Sequence, residues 1–158
     1  MKLKQWKQYI ISALIALAVG GLSALLSMDG MAAYNTTAVK PLLTPPGWIF
    51  GVVWTILYAL MGISAARIWL SGDSEAKSKG LNLYVAQLVV NFFWSLIFFN
   101  AQAFGFAFFW LLLLWALVLL MILQFNKVDR KAALLQIPYL IWLTFAAYLN
   151  YEVWRLNQ

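Results

Sequence analysis

Apolar residues fill this chain in five long runs, and the short segments between them carry nearly all of its charge. The runs lie at about Tyr9–Ser27, Gly47–Leu70, Leu81–Phe99, Ala103–Phe125 and Ala132–Trp154. Each has the length of a bilayer crossing, which takes about 20 helical residues. Hydrocarbon offers no water to backbone polar groups, so a helix is the form in which such a run satisfies itself. The pattern predicts an all-α membrane protein, a five-transmembrane-helix bundle that forms a single domain over residues 1–158. One connection is long: residues 28–44, with Asp29, Tyr34, Asn35 and Lys40. Connections above about 12 residues are often lids, and a lid is the expectation here.

Within the runs, residue spacing marks faces. In span two, Phe50, Trp54 and Tyr58 recur every four residues, with Met61 beyond them, so one side of that helix is an aromatic panel. Just before it, Thr44 is placed to N-cap the helix, with Pro45 and Pro46 in its first turn. Span one repeats small residues at Ser12, Ala16, Gly20 and Ala24. That register lets two helices approach closely, either inside the bundle or across a homodimer. Span three sets Gln87, Asn91 and Ser95 on one face beside Trp94 and Phe98. Amides in hydrocarbon need partners, so this face must look inward, as glue between helices or as a ligand contact. Span four is apolar all round as far as Gln124 and is expected to face lipid, antiparallel to span three after a short turn. In span five, Pro138 is expected to kink the early turns, and Trp142, Ala146, Leu149 and Asn150 line a face. The end of span five, with Leu149, Tyr151 and Arg155, fits a weak sterol-contact pattern and equally an interfacial aromatic–arginine anchor.

Charge orients the bundle. With five alternating spans, Lys2, Lys4, Lys7, Arg67, Lys77, Lys79, Lys127, Arg130 and Lys131 share one side, leaving Lys40 and Arg155 on the other. This bias predicts the N-terminus inside and the C-terminus outside, and suits a bacterial cytoplasmic membrane. The first run exceeds a signal-peptide core and is expected to stay as a helix. Composition agrees: 65% of residues are hydrophobic and 10% charged. The cations hug span ends, as anionic head groups would have them, so membrane lipids rather than nucleic acid are the expected partners. The chain has no Cys and no His. That excludes thiolate and imidazole chemistry, conventional zinc sites and the commonest haem ligands. No ionisable residue lies at mid-span, which argues against a pump or an ion-coupled transporter. No metal site and no required cofactor are expected.

The run Lys40-Pro41…Thr44-Pro-Pro-Gly-Trp48-x-Phe50…Val53-Trp54-Thr55-x-Leu57-Tyr58…Met61-Gly62 resembles the signature of the TspO/MBR family of translocator and tryptophan-rich sensory proteins. Gln87-Leu-x-x-Asn91-x-x-Trp94…Phe98-Phe99 and Pro138-Tyr-Leu-x-Trp142…Phe145-Ala146…Leu149-Asn150-Tyr151…Trp154-Arg155 are similar to its later spans. Leu43 departs from the pattern, which usually carries Trp there. The resemblance implies a five-helix bundle, often dimeric, with a pocket beneath the first long loop. It implies porphyrins such as protoporphyrin IX, or haem, as ligands; animal members also bind cholesterol and isoquinoline or benzodiazepine drugs. Carried over residue by residue, the ligand-binding set is Tyr34, Pro45, Phe50, Trp54, Tyr58, Asn91, Ser95, Phe98, Trp142, Ala146 and Leu149.

Three function classes follow. The first is a tetrapyrrole-binding sensor or translocator, in which flat aromatic walls supply stacking area. The second is an enzyme that breaks porphyrins down with light or oxygen, with Trp54 and Trp142 as the oxidisable, catalytic side chains. The third is a sterol or lipid carrier, or a scaffold for a protein partner.

Overall fold

The computed structural model of the protein describes residues 3–158. Seven α-helices follow one another: α1 (Leu3–Leu26), α2 (Met28–Thr37), α3 (Gly47–Trp69), α4 (Glu75–Ser95), α5 (Phe104–Val128), α6 (Arg130–Leu135) and α7 (Ile137–Leu156). A π-helical turn, Leu96–Asn100, extends α4. Five helical stretches are long and apolar enough to cross a membrane: α1, α3, α4 with its π turn, α5, and α6 with α7. The all-α, five-span architecture is therefore the one the apolar pattern predicts. Lys2 lies outside the described residues.

The helices outrun the apolar runs where polar residues finish the ends. α4 starts at Glu75, because the Ser74 side chain accepts the Lys77 N–H at 3.1 Å and Glu75 pairs with Lys79 at 2.9 Å, one turn on. α3 does the opposite. Thr44 does not cap it; Pro46 is the N-cap residue in an extended conformation and Gly47 is the first helical residue. A residue before proline is pushed out of the α region, so Pro46 keeps Pro45 from entering the helix.

Three other expectations are corrected. The segment 28–44 is not one loop, since residues 28–37 form α2. Asp29 lies in its first turn, and Ala32 and Ala33 favour helix. Gly30 lets α2 lie against the backbone of Phe99 and Asn100, where a Cβ would collide. Pro138 does more than kink span five. The helix breaks at Gln136 and restarts at Ile137, because proline offers no N–H to the Leu134 carbonyl. Gln136 is fully buried, and its amide has no partner among the described residues.

The third correction concerns span four. α5 buries Ala107, Leu111, Leu114, Val118, Met121, Ile122 and Phe125 along one face, against α4 and α7. Its membrane window is 33% buried, whereas that of α1 is 11% buried. Lipid and protein core are equally apolar, so an all-apolar helix gives no sign of which side it presents to either. The peripheral helix is α1. Three of its four small residues pack within the bundle: Ala16 is fully buried, Gly20 lies against the Tyr58 ring, and Ser12 Oγ donates to the Gly62 carbonyl at 2.6 Å; Ala24 is exposed.

The cationic ends of the spans gather as the charge pattern requires. Arg67 Nε, at the end of α3, donates to Asp129 Oδ2 between α5 and α6 at 2.7 Å. Lys77 Nζ donates to the carbonyls of Trp69 and Ser71, closing the α3–α4 turn. At the other end, Asn157 accepts from the Val39 N–H and donates to the Val39 carbonyl, both at 2.8 Å, which ties the first connection to the C-terminus.

Asp129 also caps α6, accepting from the Lys131 N–H at 3.0 Å. Partial burial opposes its charge, but Arg67 and the backbone donors hold its carboxyl below the usual carboxylate range. A carboxylate with a depressed folded pKa stabilises the protein above its unfolded pKa of about 3.9, and that contribution is lost as pH falls further. Asp129→Asn keeps a capping side chain and removes the charge. The wild type is expected to melt a few degrees above this variant at pH 7, by about 1 kcal/mol after solvent screening. The gap should close below pH 4, as followed by thermal unfolding in detergent.

Candidate functional site

The aromatic residues form two clusters, and each grows from helix spacing. In the first, α3 brings Phe50, Trp54 and Tyr58 to one side, and α7 answers with Tyr139 and Trp142. Trp54 lies 5.7 Å from Tyr58, 6.2 Å from Tyr139 and 6.5 Å from Trp142, ring centre to ring centre. Phe50 meets Trp142 edge to face at 5.7 Å. These are favourable aromatic geometries, and they fix the indoles upright against one another.

The second cluster sits where α2 crosses the π turn. Tyr34 packs on Phe98 and Phe99, each at 5.3 Å, and Phe98 packs on Phe104 at 4.9 Å. Lys40 Nζ stands over the Tyr34 ring at 4.9 Å, on the face away from the helices' charged ends. Burial pushes the Tyr34 hydroxyl up to about 12, so it remains a neutral donor at physiological pH. Trp94 joins the clusters, stacked on Phe98 at 4.9 Å and packed against the main core.

A line of polar groups runs between them. Asn91 Nδ2 donates to the Tyr139 hydroxyl at 2.9 Å, and that hydroxyl donates to Gln87 Oε1 at 2.6 Å. Gln87 Nε2 faces Met61 Sδ at 3.8 Å. Further along, Trp94 Nε1 donates to Asn150 Oδ1 at 3.1 Å, and Asn150 Nδ2 donates to the Phe104 carbonyl at 2.8 Å. The inward-facing amides thus act as glue between α4 and α7, one of the two roles their spacing allowed. Sequence reasoning passed over Tyr139, the hub of this line. It stands seven residues before Ala146 and three before Trp142, on the face already marked as inward.

The anticipated residues do not all meet. Phe50, Trp54, Tyr58, Asn91, Trp142 and Ala146 come together around the first cluster, while Tyr34 and Phe98 belong to the second. Leu149 is buried, and Ser95 and Pro45 are half-buried. Tyr151 and Arg155 lie outside: Tyr151 packs on Phe108 at 5.5 Å, and Arg155 pairs with Glu152 at 2.6 Å.

One cleft reaches the first cluster from the lipid side. It measures about 570 Å³ and runs along the seam of α3 and α7. Val53, Ile56, Leu57 and Leu60 form one wall, and Pro138, Ile141, Trp142 and Phe145 form the other. Trp142 belongs to both cleft and cluster, and its indole N–H is buried without a partner among the described residues.

A helical membrane bundle with an aromatic cluster between α3 and α7 and a helix in its first connection is the class that these features define. The profile of the TspO/MBR family matches residues 12–155, and the chain belongs to that family. It is 37% identical to a tryptophan-rich protein TspO of Chlorobaculum tepidum over 96% of this chain and 98% of that one. It is 41% identical to the human translocator protein over 75% of this chain and 71% of that one. A tryptophan-rich sensory protein of Cereibacter sphaeroides is 37% identical over 75% and 73% of the two chains. Family and fold together make this a multi-pass membrane protein and support a role as translocator or sensor.

Proposed function

We propose that this chain binds a flat, largely apolar tetrapyrrole such as protoporphyrin IX or haem, and works as its membrane translocator or sensor. The observation that carries the reading is Trp142, which is at once a wall of the lipid-side cleft and a member of the Phe50–Trp54–Tyr58 cluster. A ligand dissolved in the bilayer would enter between α3 and α7 and stack on indole faces without crossing water. The cleft is open along its length and lined by aliphatic and aromatic side chains, which suits a ligand that arrives from hydrocarbon. With no Cys or His, the chain would hold a porphyrin by stacking and apolar contact rather than by axial ligation. Isoquinoline or benzodiazepine drugs would use the same aromatic walls. A bacterial cytoplasmic membrane and a homodimer complete the proposal; neither is required for the stacking.

The test is a protoporphyrin IX titration of detergent-purified protein, following tryptophan quenching. Saturable binding is expected, weakened roughly tenfold by Trp142→Ala, the loss of one to two stacking contacts. A control variant on the outer surface, Trp69→Phe, should leave affinity unchanged. Unaltered affinity in both variants would remove the pocket from the α3–α7 seam. Illuminating the bound porphyrin addresses breakdown: loss of its absorbance that disappears in Trp54→Phe and Trp142→Phe would point to the enzyme reading.

A further inference from the structure

We propose that the notch between the end of α5 and the α6–α7 break is a binding site for one anionic phospholipid of the leaflet that borders the basic loops. The notch measures about 420 Å³ and is lined by Ile122, Leu123, Asn126, Arg130, Ala133, Leu134 and Ile137. It lies beside the point where the helix is interrupted. Ala133 and Leu134 end α6, Ile137 begins α7, and the turn at Gln136 between them sets this edge of the groove.

Its two ends differ in chemistry. Toward the bilayer centre the lining is aliphatic, and Leu123 and Leu134 are more than half exposed with no protein side chain covering them. Toward the surface stand the Asn126 amide and the Arg130 guanidinium, both exposed, with Lys127 and Lys131 on either side in sequence. The acid nearest in the chain, Asp129, is turned away and committed to Arg67. Arg130 makes no ion pair among the described residues. A cationic fork above an aliphatic groove complements a phosphodiester above an acyl chain. Guanidinium matches two phosphate oxygens, and the asparagine amide donates to a third acceptor, a phosphate or an ester carbonyl. Three cations with no free carboxylate among them favour a head group of net negative charge over a zwitterion. The concavity is what separates this site from ordinary attraction of cations to an anionic surface, since it holds one chain at one place.

The experiment is native mass spectrometry of the purified protein after incubation with phosphatidylglycerol or phosphatidylcholine of identical chains. One phosphatidylglycerol is expected to be retained in preference to phosphatidylcholine. Arg130→Ala should lower that preference roughly fivefold, the share of one basic group near a membrane surface. Leu134→Trp fills the groove from an exposed position and should reduce retention of both lipids, with the helical circular dichroism unchanged. Two results of the lipid comparison would overturn the proposal. One is equal retention of the two lipids by the wild type. The other is a preference that survives Arg130→Ala and Leu134→Trp but falls with Lys77→Ala plus Lys79→Ala, which would mark diffuse surface attraction. Displacement of the bound lipid by millimolar inorganic phosphate would equally overturn it, since the groove would then contribute nothing.

Discussion

Gly62→Val is expected to lower the unfolding midpoint in detergent by about 5–10 °C, the range set by overpacking of a close helix contact. Gly62 lies where α1 and α3 touch. A Cβ there would fall on the backbone of Ala13 and Ser12, which cannot rotate aside as a side chain can. The substitution also forces apart the 2.6 Å bond from Ser12 Oγ to the Gly62 carbonyl, one of the few polar links between these helices. α1 is the least buried span, so the damage should be local. The expected result is a loosened α1, seen as protease access to the N-terminal helix, with α3–α7 still packed. Gly51→Val, on the same helix but in open space, is the comparison. It should cost no more than the few tenths of a kcal/mol that separate good from fair helix formers. Equal midpoints for the two variants would mean that α1 and α3 do not meet at Gly62.

That contact also shows what could be read from residue order. Small residues every four positions in span one told where a close approach can occur, and the structure uses Ser12 and Gly20 against α3 inside the bundle. The five spans, the inward face of span three and the basic end were legible for the same reason. Each is a local pattern whose cost in hydrocarbon leaves one solution. What stayed hidden depends on contacts between distant segments. Nothing local in α5 tells that its Leu111–Phe125 face is core rather than lipid-facing, because both surroundings are apolar. The helix at Met28–Thr37 forms on the platform of the π turn, more than sixty residues away in the chain. The break at Gln136 was visible only as a proline. Whether proline bends or interrupts a membrane helix depends on what bonds the carbonyls around it, and here Ser64 Oγ donates to the Ala132 carbonyl at 2.7 Å and the Gln136 N–H to the Ala133 carbonyl at 3.1 Å.

Of the candidate site, the α3 panel and Trp142 were legible as faces, and their meeting around Trp54 follows from two inward helices facing each other. The division of the aromatics into two clusters was not. The family resemblance carries Tyr34 and Phe98 over into one binding set with Trp54, and the structure sets them in a separate cluster. The π turn at Leu96–Asn100 re-aims Phe98 toward α2, and Trp94 alone spans the gap. Asn157 holds the first connection to the end of α7 through Val39.

Tyr139→Phe is the second large effect, and it separates structural glue from ligand recognition. The hydroxyl is fully buried, receives a bond from Asn91 and gives one to Gln87. Its removal leaves two amide groups at membrane depth each short of a partner, at about 1–3 kcal/mol per stranded group. A loss of about 2 kcal/mol is expected, or roughly 6 °C in midpoint. The Gln87→Met change should cost less in the Tyr139→Phe background than alone, because the acceptor it deletes is then already unpaired. Porphyrin affinity should change less than twofold in Tyr139→Phe, since stacking on Trp54 and Trp142 persists when only the hydroxyl is lost. The opposite pair of results, unchanged stability with a tenfold weaker porphyrin complex, would reassign Asn91, Tyr139 and Gln87. They would then be a polar rail for the ligand, and the tie between α4 and α7 would have to come from Trp94 and Asn150 instead.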